Sequence, residues 1–398
     1  MNLLPLIGRT NRLLVQDFEN YGKELDEIVS QSKFLVIGGA GSIGQEVVKQ
    51  IFKRNPRLLH VVDISENNLT EVIRDVRSSY GYTDGETEFL PLDYTTKEFD
   101  VFWQDKADYD YVLNLSALKH VRSDQFVYTL MRMINVNVIG TDHSMKLAQE
   151  HGVKKYFAVS SDKAKNPANL MGATKCIMED ILFTNPYGAT CSTARFANVA
   201  FSDGSLLHGF RQRLMKGQPI AAPADIARYF VIPEEAGELC LMSAIFGKHK
   251  DIFFPKENDN ELKLTHFPEI ATAFLETQGY EAVSVDSEDE ARERVNELSL
   301  KKKWPCYFFK SDTSGEKPFE EFFASDDIVD WDRFADMGIV KWQIGADNVF
   351  DRAQTFLSEY HVLRANENWK REDVVNMIKK ACPTLSYLDT GKFLSGKM

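Results

Sequence analysis

Lys33-Phe34-Leu35-Val36-Ile37-Gly38-Gly39-Ala40-Gly41-Ser42-Ile43-Gly44 is the stretch that decides the fold. An apolar run of strand length passes straight into glycines three apart, and beyond them Val47, Val48, Ile51 and Phe52 fall on one helical face. Strand, glycine turn and helix open a βαβ unit. Gly38, Gly41 and Gly44 allow a tight turn, and with Ser42 and Ile43 they let backbone N–H groups at the helix N-terminus approach a pyrophosphate. A second strand ends at Asp63, 25 residues after Gly38, where a carboxylate can accept hydrogen bonds from the adenosine ribose. The pattern predicts dinucleotide binding. Asp63 would repel a 2′-phosphate and no arginine follows it directly, so NAD is favoured over NADP, with Arg74 and Arg77 as the residues that keep the phosphorylated form open.

Further apolar runs at 59–62, 89–92, 111–115, 156–159 and 193–199 alternate with helical stretches, as a parallel sheet requires. The predicted fold is α/β: a Rossmann-like doubly wound parallel sheet, with a smaller C-terminal substrate-binding lobe and extra helices at both termini. Residues 1–32 form an N-terminal helical extension. Leu14, Phe18, Tyr21, Leu25 and Ile28 there recur at helical intervals, and either pack on the domain or dock on a neighbouring subunit. Residues 33–198 form the NAD-binding domain with the catalytic motif. Residues 199–345 form the substrate lobe, with room for strands that return to the main sheet, and 346–398 a C-terminal helical extension. Within these, helices are predicted near 268–278, 349–360 and 371–381, a strand at 306–309, and a solvated helix face for the acidic run 286–293.

The chain has 398 residues, 43% of them hydrophobic, and a net charge of −12. That charge argues against nucleic-acid partners, which need a basic footprint. Its five cysteines form no CxxC pair and suit free thiols in a reducing cytoplasm, so neither a disulfide nor a metal site is expected. No run approaches the ~18 apolar residues of a membrane helix, and the start lacks the form of a signal peptide. The expectation is a cytoplasmic protein with no membrane insertion.

Ser160 to Lys175 carries the chemistry. Met171 and Lys175 stand four apart on one helix face, where a nicotinamide-dependent reductase of the short-chain type would carry Tyr-x-x-x-Lys. Met171 cannot accept a proton. Upstream, Asp162 and Lys163 are a carboxylate and an amine, the groups that an acid/base elimination needs. In the cofactor half, Asp93 follows a strand where it can meet the adenine amino group or cap a turn. Ser116 and Ala117 are small residues that let backbone pass close to the dinucleotide.

Seven separated motifs resemble the extended short-chain dehydrogenase/reductase superfamily, and within it the UDP-N-acetylglucosamine 4,6-dehydratases of polysaccharide biosynthesis. They are Gly38 to Gly44, Ala117-Leu118-Lys119-His120-Val121, Asn135 to Thr141, Ser161 to Lys175, Arg195 to Val199, Arg228-Tyr229-Phe230 and Gly315 to Glu321. The resemblance spans residues 33 to about 323 and takes methionine at the tyrosine place as a mark of the longer members.

This resemblance implies Lys163 as the base at carbon 5, Asp162 as the acid for the 6-hydroxyl, Lys175 on the nicotinamide ribose and Ser161 on the 4-hydroxyl. Met171 leaves the acceptor of the 4-hydroxyl proton open. Asn198 and Arg228 would hold the diphosphate of a UDP-sugar, with Arg211 and Arg213 as weaker alternatives. Lys119 and His120 would border the sugar, and the turn at Gly315 would close over the nucleotide. Homo-oligomers are expected from the superfamily, through the terminal helices or the long helix around Asn135. Two rivals share the pattern: an NAD-dependent UDP-sugar epimerase, which does not need Asp162 and Lys163, and a non-catalytic NAD-binding scaffold.

Overall fold

The computed structural model describes residues 2–106, 108–185, 188–257, 262–312, 317, 319, 321–343 and 348–388. Six parallel strands form the heart of the chain: β1 (Lys33–Ile37), β2 (Leu58–Asp63), β3 (Glu86–Pro91), β4 (Tyr111–Asn114), β5 (Lys155–Val159) and β6 (Thr190–Ala194). They stand in the order 3-2-1-4-5-6, with β1 flanked by β2 and β4. The chain reverses direction across the sheet at β1/β4, and the crevice beyond the carboxyl ends of those strands is where such sheets bind ligands.

The predicted run at 193–199 does not stay in this sheet. The Arg195 N–H still bonds the carbonyl of Phe253 on the strand next to β6 in that sheet, but beyond it Asn198–Val199 (β7) pairs with Phe230–Val231 instead. Later strands in chain order are β8 (Ile220–Pro223), β9 (Ala227–Arg228), β10 (Phe230–Val231), β11 (Asp251–Pro255), β12 (Thr265–His266), β13 (Glu281–Val285), β14 (Lys303–Phe309), β15 (Val329–Asp330) and β16 (Met337–Lys341). Of these, β11 rejoins the main sheet parallel to β6, and β16 and β15 extend it antiparallel. β13, β14 and β8 form a separate parallel sheet whose apolar core includes Ile220, Ile270, Phe274 and Trp304.

The helices, in chain order, are α1 (Val15–Ser30), α2 (Ser42–Phe52), α3 (Glu66–Tyr80), α4 (Lys97–Lys106), α5 (Val127–Ile134), α6 (Gly140–Glu150), α7 (Leu170–Thr184), α8 (Leu206–Met215), α9 (Pro233–Phe246), α10 (Phe267–Thr277), α11 (Glu288–Leu300), α12 (Val349–Ala365) and α13 (Arg371–Ala381). A π-helical turn, Asn135–Ile139, joins α5 to α6. α7 is buried on nearly every side. One side is closed within the chain by α12 and α13, and the buried Tyr360 of α12 donates its hydroxyl hydrogen to Asn135 at 3.2 Å.

The N-terminal residues are built into the body of the protein. α1 begins only at Val15, because Leu14 takes φ 64°, which no helical residue adopts. Ahead of it Leu6 and Ile7 are buried in the core of the smaller sheet. Arg9 and Glu235 form a two-pronged ion pair at 2.7 and 2.8 Å with exposures of 2% and 1%. Glu235 also accepts the N–H groups of Leu13 and Ile232, so one carboxylate fixes the N-terminal segment to the start of α9. Removing one partner strands a buried charge. Arg9→Ala should therefore lower the unfolding free energy by about 3–5 kcal/mol, read by chemical denaturation; a loss below about 1 kcal/mol would show that the segment is dispensable.

Candidate active site

The glycine turn sits at the crevice. Gly38 has φ 76°, and a Cβ there would stand 2.6 Å from the Ser116 nitrogen. A Cβ on Gly44 would stand 2.1 Å from the Gly38 carbonyl oxygen. Only glycine lets β1, the end of β4 and α2 come this close. Gly41 differs: its Cβ would meet nothing nearer than the Gly38 oxygen at 3.5 Å, so packing within the chain does not demand glycine there. Gly41 is the N-cap of α2 and supplies no side chain to the N–H groups of the helix's first turn. That cradle fits a phosphate. Ser42 Oγ accepts the N–H of Asp203 at 2.9 Å, bringing a loop of the second lobe to the turn.

Asp63 stands at the end of β2, its carboxylate accepting the N–H groups of Ala40 and Ser65, both at 2.9 Å. Asp93 is engaged by the N–H and hydroxyl of Thr95, the turn-capping alternative of the sequence reading. Arg74 is paired with Glu71, and Arg77 lies over the ring of Tyr82.

On the other side of the turn, Ser116 and Ala117 follow β4. Asn114 accepts the Ser116 N–H at 3.1 Å, and the fully buried Asn137 grips Leu118 from both sides, accepting its N–H at 2.9 Å and donating to its carbonyl at 3.1 Å. The same amide donates to Thr174 of α7 at 3.0 Å. Asn137 lies in the π-turn and had no assigned role, although it falls within the quoted motif. Lys119 and His120 are solvent-facing; Lys119 reaches Ser202 at 3.4 Å, and the His120 ring lies against Gly204.

Ser161, Asp162 and Lys163 leave the carboxyl end of β5. The Ser161 hydroxyl donates to Asp162 Oδ1 at 2.8 Å and accepts the Lys163 N–H at 3.2 Å. Lys163 Nζ donates to the same Asp162 oxygen at 3.0 Å and to Asn198 Oδ1 at 3.5 Å. The ion pair is largely shielded, with side-chain exposures of 5% for Asp162 and 18% for Lys163. Asn198, expected at a diphosphate, thus meets the Lys163 amine. Arg228 is buried on β9 and donates to the carbonyls of Ala227 and Lys317, at 2.9 and 3.0 Å. Gly315, Glu316, Pro318 and Glu320 of the expected closing turn lie outside the described residues. Arg211 is exposed over Phe201, and Arg213 donates to Gln218.

Met171 and Lys175 share one face of α7. Met171 is buried yet belongs to neither apolar core. Lys175 Nζ donates to the Val159 carbonyl at 2.8 Å, and burial pushes its pKa down to about 8 against the opposing charge of Glu179. The start of α7 is held by Asn169, which caps Gly172 at 2.8 Å, and by Asp124, which accepts the Leu170 N–H at 2.9 Å and which burial pushes up to about 7. Glu179, one turn beyond Lys175, accepts from Ser160 Oγ at 2.5 Å and from Arg195 through both Nε, at 2.9 Å, and Nη2. Arg195 also donates to the Phe322 carbonyl at 2.8 Å. Glu179 escaped the sequence reading, although its i+4 spacing from Lys175 places it on the same face.

Residues 34–341 match the family described as polysaccharide biosynthesis protein. The chain belongs to that family. Among curated relatives, an uncharacterized membrane protein of Methanocaldococcus jannaschii is 28% identical over 82% of this chain and 89% of its own length. A UDP-N-acetylglucosamine 4,6-dehydratase (inverting) of Campylobacter jejuni is 29% identical over 56% of this chain and 66% of its own. A UDP-glucose 4-epimerase of Rickettsia prowazekii is 24% identical over 56% and 65%. The fold matches that of Pen from Bacillus thuringiensis, with TM-score 0.63 at 21% identity over 84% and 99% of the two chains. It also matches DesIV, a dTDP-glucose 4,6-dehydratase of Streptomyces venezuelae solved with NAD bound, with TM-score 0.55 at 17% identity over 73% and 88%. Among the described residues no helix is long and apolar enough to cross a membrane.

The Lys175 environment has a measurable consequence. Between about pH 8 and 10.5 the unfolded chain holds this proton and the folded chain does not, so this group's contribution to stability rises with pH across that window. Wild type should gain on Lys175→Met by up to ~3 kcal/mol as pH is raised through it, measured by urea unfolding. Parallel pH profiles would show that the amine is not desolvated.

Proposed function

We propose that this family member is a nucleotide-sugar 4,6-dehydratase acting on UDP-N-acetylglucosamine, with NAD held at the glycine turn. The observation that carries the reading is the shielded Asp162–Lys163 pair, joined to Ser161 and Asn198 one strand end from Lys175. Transient oxidation alone needs no such pair; elimination of water across carbons 5 and 6 needs both an acid and a base.

Gly38, Gly41 and the first turn of α2 would hold the pyrophosphate, Asp63 the adenosine ribose and Lys175 the nicotinamide ribose. When bound, the nicotinamide would accept a hydride from carbon 4 and return it to carbon 6, so that carbon 5 is acidified in between. Moving one proton across the 3.0 Å hydrogen bond from Lys163 to Asp162 converts the ion pair into a neutral amine and a neutral acid. Lys163 then takes the carbon 5 proton and Asp162 protonates the departing 6-hydroxyl. Ser161 orients the 4-hydroxyl. Asn198, 3.5 Å from Lys163 Nζ, keeps the amine directed into the crevice. The Asp63 carboxylate at the end of β2 supports NAD over its 2′-phosphorylated form.

Incubation with NAD and UDP-N-acetylglucosamine should give a product lighter by one water. A product of unchanged mass and altered configuration would make the chain an epimerase, and no turnover a scaffold. Asp162→Asn and Lys163→Ala should each cut formation of the 4-keto-6-deoxy product by about 10²–10⁴-fold while NAD still binds; near-normal turnover in both would overturn the assignment.

A further inference from the structure

At the β3 edge of the main sheet three side chains with metal-ligating atoms converge. His60 of β2 is the register partner of Glu88 of β3, and Glu86, two residues before Glu88, lies on the same face of that strand. His60 Nε2 stands 3.4 Å from Glu86 Oε1 and 3.8 Å from Glu88 Oε2, and the three ligand atoms lie within 4.8 Å of one another. Among the described residues no other group of three such side chains comes so close.

We propose that His60, Glu86 and Glu88 bind a divalent transition-metal ion of the zinc class, which ties β2 to the edge strand. Tetrahedral zinc with bonds of about 2.0–2.1 Å puts its ligand atoms ~3.3 Å apart. The His60–Glu86 spacing already meets this, and the His60–Glu88 spacing exceeds it by about 0.5 Å, which a small turn of a surface carboxylate closes. The fourth position is left to water. One imidazole nitrogen with two carboxylate oxygens suits zinc better than magnesium or calcium, which take oxygen throughout.

The imidazole is already held for this. Tyr109 Oη lies 2.7 Å from Nδ1, and the rings of Tyr109 and Phe102 pack on it with centroids at 5.6 and 5.7 Å, so that Nε2 is directed at β3. A hydrogen-bond partner on the far nitrogen is what orients a metal-bound histidine. With the ion on Nε2, the ring proton sits on Nδ1 and faces Tyr109. The ring is buried, but the carboxylates it faces are 52% and 39% exposed, so an ion captured by them at the surface has Nε2 as its third neighbour. The Lys106 ammonium, 4.0 Å from Glu86, makes only a weak surface pair that an ion displaces. Asp63 lies three residues further along β2, about 10 Å at the rise of a strand, so the site is separate from the glycine turn. It uses no cysteine, and cysteine spacing therefore gave no sign of it.

The test is titration of the untagged full chain, freed of metal by a chelator, with zinc chloride in a large excess of magnesium, read by calorimetry and by thermal unfolding. The expected result is one ion per chain and a raised unfolding temperature. Glu86→Gln and Glu88→Gln, both at partly exposed positions, should each weaken binding by about tenfold or more. Tyr109→Phe, which removes only the hydroxyl that orients the ring, should weaken it by about tenfold. No zinc uptake, uptake that magnesium abolishes, or uptake unchanged in both glutamate variants would overturn the proposal. Every readout is independent of the reaction proposed above.

Discussion

The buried ion pair of Glu179 with Arg195 is the interaction on which the site depends. Arg195 leaves the end of β6, Ser160 leaves the end of β5, and Glu179 rises from α7; one carboxylate binds all three, and Arg195 carries the link on to Phe322. Ser161, Asp162 and Lys163 follow Ser160 in the chain, Lys175 lies one turn from Glu179, and Asn198 lies three residues past Arg195. Their relative positions are therefore fixed by one polar centre with exposures of 6% and 3%. A pair of this kind adds little net stability over a well-packed apolar substitute, but breaking it costs several kcal/mol. Its value here is register: it sets which side chains reach the crevice together.

A second tier of buried polar groups holds the cofactor side. Asn137 clamps Leu118 to α7, Asp124 and Asn169 anchor the start of that helix, and Gly38 lets Ser116 approach the glycine turn. α7 is apolar or engaged on nearly all sides, so it must be covered everywhere. The main sheet, α5, α6 and the π-turn between them cover part of it, and α12 and α13 close a further side from outside the segment that defines the family. Covering the helix with the C-terminal segment places Ser386 against Pro167, and Arg371 against Asp124 at the start of α7.

Much of this was legible in the sequence because it rests on local rules. The strand–turn–helix over 33–52 follows from periodicity and glycine spacing, and the helices at 267–277 and 371–381 follow from their apolar stripes. What escaped depends on contacts distant in sequence. The run 193–199 looks like one strand, yet the chain leaves the sheet after Arg195, whose side chain meets Glu179, and Asn198–Val199 pairs with Phe230–Val231. Leu6 and Ile7 lie in a stretch too short to show a period, and their burial depends on a core built mainly from residues between Ala200 and Cys306. Asp162 and Lys163, by contrast, are adjacent in the chain, so that they can form an ion pair was visible in the sequence.

The central claim, that this pair performs an elimination, is tested most directly by turnover of UDP-N-acetylglucosamine in deuterium oxide, with the product read by mass spectrometry and proton NMR. Proton removal at carbon 5 by Lys163 predicts a product that has lost water and carries solvent deuterium at carbon 5. A product that retains its oxygen and its original carbon 5 hydrogen would contradict it.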